Sequence, residues 1–316
     1  MDDEPGVETR DAAQTQSLTT WDSGRGPAFL ELVRKLNLDN KDGGPTQTSM
    51  SAVFGDHTCT GQLSGYDPHA ASYRVLCTRA GRDQDKRGLL FVFYGTQTQD
   101  EFCDQALSSK QSNVETPWGL RNVETLANWA HRVEELAPFV TSEISAYRIA
   151  SGTSITNPVI FAGHSKGGVV AQIYGMARSA YDAGNDSGSF DGAYHDRYTT
   201  VISFNSPKPT YSIPLADSYK DWAENVGHRY KTVWIERAYD AVQVLPPSWP
   251  DSSTYQNSRY RTAGAPGQRN HLYRRYTTSE MEDAAYQLQL DPWGGHPRQG
   301  YFGVPNGATS CPANPF

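Results

Sequence analysis

Six residues, Gly163-His164-Ser165-Lys166-Gly167-Gly168, constrain this chain more than any others. They follow the short apolar run Pro158–Ala162 (PVIFA) and precede a stretch, Val169–Ala180, that reads as a helix. A buried strand that turns at once into a helix leaves little room for side chains at the bend. Glycine at 163 and 167, two before and two after Ser165, meets that demand. The serine at the apex then projects above a sheet, with the helix N-terminus beneath it. That end carries partial positive charge and suits a developing oxyanion. A Gly-rich turn without chemistry has the same letters, so the strand–turn–helix context carries the reading rather than the motif alone.

The remaining elements are read from periodicity. Leu89–Tyr94 (LLFVFY) is a continuous apolar run, as expected of a strand buried on both faces. Thr200–Phe204 (TVISF) and Lys231–Ile235 (KTVWI) read as further strands, with Ser72–Thr78 before them and a run opening at His271 (HLYRRYT) after them. GRDQDKRG reads as a charged turn. A first helix is expected over 28–37. Apolar residues from Val123 to Ala137 recur at spacings of three and four, predicting a helix that Pro138 should kink or end. Residues 96–122 read as a long loop or lid-like excursion. Ser279 and Glu282 form a capping box for a last helix over 279–290. Strands alternating with helices predict a mostly parallel sheet with helices on both faces. Residues 1–24 are expected to be a loosely attached tail, and 25–316 a single domain.

The 316 residues carry a formal net charge of -7 and no basic run, which argues against a nucleic-acid partner. No stretch approaches the roughly 18 consecutive apolar residues of a membrane span. The acidic opening MDDEPGVETRDAAQTQS lacks the apolar stretch of a signal peptide and fits what is left once one is removed. Four cysteines, Cys59, Cys77, Cys103 and Cys311, form no CxxC pair, so no metal site is expected. Their even number allows two disulfides in any of three pairings, or four buried thiols. With few lysines and many Ser, Thr and Tyr, the balance points to a secreted, oxidising setting. Asn185-Asp186-Ser187 matches a glycosylation acceptor, a triplet that chance often supplies. No nucleotide-binding Gly-rich loop and no HExxH appear, and no cofactor is expected.

Over residues 89–275 the chain resembles the class 3, or fungal-type, lipases, whose fold is that of the α/β-hydrolases. LLFVFYGTQTQDEF is similar to that family's strand ending in a Gly-Thr or Gly-Ser turn, and PVIFAGHSKGG to its nucleophile turn. VISFNSPKP resembles its next strand and Ser-Pro turn, and YKTVWIERAYDAVQVLPP its strand leading to an Asp-x-Val-x-x-Leu-Pro segment. The ends, 1–70 and 290–316, show no such likeness. Where the family commonly has Leu after the nucleophile this chain has Lys166, a change expected to alter the polarity of the pocket.

The resemblance implies an α/β-hydrolase and a Ser-acid-His triad in that chain order. Ser165 is the candidate nucleophile. Asp240 is the best-placed downstream acid, just after KTVWI, where open α/β sheets keep their sites. It would hold the tautomer of the base. His271 is the first candidate for the base and His296 the runner-up, while His228 precedes the acid and has the wrong order. His164 is expected to pack against neighbouring loops. The resemblance assigns the oxyanion donors to the N–H groups of Lys166 and Thr96. The expected function is a carboxylic ester hydrolase working through an acyl-enzyme on an ester or lipid substrate, with a lipid interface as a further partner. A thioesterase or amidase would use the same triad, and a hydrolase-like protein that only binds would keep none of its chemistry. Acyl chain length, disulfide pairing and oligomeric state are not readable from the sequence.

Overall fold

The computed structural model describes residues 25–40, 44–80, 82–96, 109–111, 113–151, 159–185, 199–204, 206–207, 209–210, and the backbone of 230–237 and 271–276. A helix, α1 (Arg25–Asn40), is followed by four strands: β1 (Ser49–Phe54), β2 (His57–Asp67), β3 (Ala70–Arg79) and β4 (Arg82–Phe93). Then come the short strands β5 (Lys110–Gln111), β6 (Val114–Thr116), β7 (Gly119–Arg121) and β8 (Thr125–Leu126), and helix α2 (Ala127–Ser151). The rest alternates: β9 (Val159–His164), α3 (Lys166–Asn185), β10 (Thr199–Phe204), β11 (Tyr230–Arg237) and β12 (His271–Tyr276).

The main sheet has eight strands in the order β1-β2-β3-β4-β9-β10-β11-β12. It is mixed, which corrects the mostly parallel α/β-hydrolase sheet expected from the sequence. The pairs β1/β2, β2/β3 and β3/β4 are antiparallel, and the strands from β4 to β12 pair in parallel. Half of the sheet is thus a meander whose strands follow one another closely, with turns at 55–56 and 68–69 and with Arg79 paired to Arg82. Connections that short can join only antiparallel neighbours, because a parallel crossover needs a dozen or more residues. The polar residues of 49–67 hide β1 and β2 from a search for apolar runs. The segment expected as a charged turn is instead the first half of β4, which starts at Arg82.

Alternate side chains feed two cores. On one face, Phe91, Phe93, Val159, Phe161 and Val201 pack with α2 and α3. On the other, Leu90, Val92, Ile160, Ala162 and Ile202 pack with Phe29, Leu32, Val33 and Leu36 of α1. The central stretches of β4 and β9 are apolar because both their faces are covered, while β10 also buries Thr199, Thr200 and Ser203. Two buried hydroxyls join the layers. Ser72 Oγ donates to Glu143 Oε2 at 2.6 Å, tying β3 to α2. Tyr174 OH donates to the Val133 carbonyl at 2.7 Å, tying α3 to α2.

Two further expectations change. Helix α2 begins at Ala127 rather than Val123 and, of the two outcomes expected at Pro138, does not end there but continues to Ser151. Proline lacks an N–H for the helix ladder, but Pro138 lies on the exposed side of α2. Water there can solvate the carbonyl that proline leaves without its helical donor. Within the expected excursion at 96–122, β6 and β7 form a small hairpin that buries Val114 and Trp118. The Trp118 ring meets Phe161 and Tyr174 edge-on at 6.0 and 6.2 Å, with the Arg178 guanidinium 5.5 Å from its centroid. Residues 97–108, the helix expected at 279–290 and the tail at 1–24 lie outside the described residues. No helix among the described residues is long and apolar enough to cross a membrane.

Cys59 and Cys77 face each other across the β2/β3 ladder and are joined by a disulfide. Cys103 and Cys311 lie outside the described residues. The Cys59–Cys77 bridge closes a loop of 18 residues, a size at which cross-linking is worth about 3 kcal/mol. Replacing both cysteines with alanine should lower the unfolding free energy by about that amount. Urea denaturation checks it, and an unchanged midpoint would refute it.

Candidate active site

The carboxyl ends of the parallel strands create the site. Phe93 of β4 is level with Gly163 of β9, and His164 of β9 is level with Phe204 of β10. The chain therefore leaves three neighbouring strands at one edge, where Thr96, Ser165 and Ser206 follow within a few residues.

Ser165 is the turn between β9 and α3. Its φ is 56°, the one positive value on a non-glycine among the described residues. Such a conformation costs an ordinary residue roughly 1–2 kcal/mol. It persists because its surroundings fix it. The Ser165 N–H donates to the Phe204 carbonyl at 3.0 Å, and the Ser165 carbonyl accepts the Gly168 N–H at 3.0 Å and that of Val169 at 3.3 Å. The bend is tight enough to exclude side chains on both sides. A Cβ on Gly163 would press into the Gly167 backbone and stand 2.7 Å from the Gly168 nitrogen. One on Gly167 would overlap the Phe93 carbonyl and stand 2.8 Å from that of Tyr94. The glycines are thus needed for close approach: the first turn of α3 lies against the end of β4, just before Gly95-Thr96.

Ser165 is 4% exposed, Lys166 2% and Thr96 8%. All three sit in a nearly water-free environment, where oriented dipoles act strongly. Lys166 is the first residue of α3 and its long side chain is covered by protein. A buried lysine side chain thus stands next to the serine. His164 closes β9 and is half-buried beside the turn. Tyr94, between β4 and Thr96, buries its hydroxyl, and burial pushes that phenol's pKa up.

The other two triad candidates are placed differently. Asp240 lies outside the described residues, as does His296. His271 is the first residue of β12, at the strand's amino end. Its register partner is Thr232, which is level with Val201 and, through it, Phe161. Ser165 is four positions beyond Phe161, and β12 is three strands from β9. At about 3.3 Å per residue and 4.8 Å per strand, that offset is about 13 Å along the strands and about 14 Å across them. The described backbone thus brings Thr96, Ser165 and Lys166 to one edge and leaves His271 away from it. In a parallel strand the carboxyl end is the one that reaches the site, and in β12 that end is Tyr276.

The sequence reading also missed Gln172 and Ser206, which meet in the buried interface behind the turn. A polar residue on the apolar face of Val169–Ala180 was the available signal. No protein-family model matches this chain, and no curated protein matches it.

Proposed function

We propose that the protein is a serine-dependent carboxylic ester hydrolase. The observation that carries this reading is the backbone of Ser165: a strained, left-handed serine between a buried strand and the N-terminus of α3, held in a bend that excludes any side chain at 163 or 167. Strain of this kind collects where function demands it. The motif resemblance to class 3 lipases supports an ester as the bond cut, although thioesters react by the same steps. The Cys59–Cys77 disulfide supports an extracellular setting.

In the proposed reaction Ser165 Oγ attacks the ester carbonyl while an imidazole takes its proton. The N–H groups of Lys166 and Thr96 receive the oxyanion, and collapse expels the alcohol. Water then releases the acid from the acyl-enzyme. Asp240 orients the imidazole. Two histidines follow Asp240, and the pairing of His271 with Thr232 favours His296 as the base.

A fluorophosphonate probe tests the nucleophile. It should label the native protein once, on the peptide holding Ser165, and labelling elsewhere or not at all would overturn the reading. The same probe separates the histidines. His296→Ala should abolish labelling and lower kcat by several powers of ten, while His271→Ala keeps most of both. The reverse pattern would return the base to His271. A panel of esters of graded chain length, with and without lipid vesicles, then ranks substrates and shows whether an interface matters.

A further inference from the structure

Building on Ser165 as the nucleophile, we infer that Gln172 and Ser206 form a positioning pair that locks the first turn of α3, and with it Ser165 and the Lys166 N–H, to the loop after β10. Both side chains are fully buried. Gln172 Nε2 donates to Ser206 Oγ at 2.8 Å and to the carbonyl of Gly168 at 3.2 Å. Ser206 Oγ in turn donates a hydrogen bond to the Pro207 carbonyl at 3.0 Å. The amide has two hydrogens and both are used, and the single hydroxyl hydrogen is used too. The result is a directional chain from the first turn of the helix to the loop backbone.

An apolar residue at 172 would serve packing alone. The neighbouring buried positions of α3, Val169, Val170, Ala171 and Ile173, are of that kind. A buried amide instead costs stability unless fully satisfied. What it adds over an apolar side chain is one fixed geometry. Helix and loop are already close, since a side chain at Gly168 would stand 2.8 Å from Ser206 Cβ. The loop is a firm anchor. Thr125 Oγ1 donates to the Pro209 carbonyl at 2.6 Å, and Thr210 Oγ1 donates to that of Glu124, fastening Pro209 and Thr210 to β8 and the residue before it. Ser165 N–H holds the last residue of β10 from the other side. Sliding or rotation of the first turn of α3 would carry the Lys166 N–H off the oxyanion position. Gln172 and Ser206 prevent it without touching substrate.

The test is a double-mutant cycle with Gln172→Met and Ser206→Ala, assayed on a p-nitrophenyl ester, with active sites counted by the fluorophosphonate. Each single variant should lose about tenfold or more in kcat, since misplacement by about 1 Å is worth up to 10²-fold. KM should stay within about twofold, because the binding walls are untouched. The pH profile should keep its midpoint, as no titrating group is altered. The double variant should be no slower than the slower single one, as expected of two residues acting as a unit. Should Gln172→Met fail to fold, Ser206→Ala decides alone, because it only removes an oxygen. Unchanged kcat per active site with a lowered melting temperature would reduce the pair to packing and overturn the inference, as would losses that multiply in the double variant. Ser165→Ala run alongside separates the two failures. If it is dead while the pair variants are normal, only the pair falls; if it is active, the nucleophile reading falls and takes the pair with it.

Discussion

Ser165→Ala is expected to lower kcat for a p-nitrophenyl ester by on the order of 10⁶, the loss that follows when a triad serine is removed. The folded structure should survive. Ser165 is held through its own backbone N–H and carbonyl, and alanine keeps both. Alanine also keeps the Cβ that makes a φ of 56° costly, so melting should change little. Ser165→Gly gives the complementary result. It should be equally inactive yet more stable by about 1 kcal/mol, because glycine accepts the left-handed conformation without strain. A protein that gains stability when its candidate nucleophile is replaced is holding that residue at a cost. Full esterase activity in Ser165→Ala would end the enzyme assignment. A Ser165→Gly variant less stable than the native chain would end the strain argument and leave the chemistry standing.

Gly167→Ala should have a large effect on folding. The new Cβ would overlap the carbonyl of Phe93 and lie 2.7 Å from its carbon and 2.8 Å from the Tyr94 oxygen. These are backbone atoms of a central strand, paired with β9 and buried on both faces. They cannot swing aside as the end of a flexible side chain can. Overpacking usually costs 1–3 kcal/mol. With no soft neighbour to absorb the clash, a loss above about 3 kcal/mol is expected, together with most of the esterase activity, because α3 has to move away from β4 and carry Ser165 with it. Chemical denaturation and the ester assay read both effects. A variant with native melting and native kcat would show that the first turn of α3 is looser than its distances imply.

The local grammar of the site was legible in the letters. Small residues at 163 and 167, an apolar run before them and a helical period after them allow little besides a strand that bends sharply into a helix. The core strands expected at 89–94, 158–162 and 200–204 were legible too, since strands buried on both faces are mostly apolar. In the antiparallel half β3 was legible at 72–78, but β1 and β2 were not. In β2 the alternation His57, Cys59, Gly61 buries small or polar groups, so the apolar signal is weak, and pairing comes from tight turns rather than from side-chain pattern. At Pro138 the letters left open whether the helix bends or stops, for a related reason. The proline's cost depends on whether water can reach the neighbouring carbonyl, and that is a property of the surface it faces.

Distance along the chain says nothing about level within a sheet, and the histidines show it. His271 has the right order after Asp240, and order is all a sequence contains; strand register sets it about four residues and three strands away from the serine. The pairing of Gln172 with Ser206 depends in the same way on two segments that only folding brings together. The sequence determined where the chain must bend and which runs must be buried, because sterics and hydrophobicity act between near neighbours. Strand direction, the level of each residue against the next strand, and the partners of buried polar groups were decided by tertiary structure, because hydrogen bonds between distant segments select among arrangements that local forces leave nearly equal.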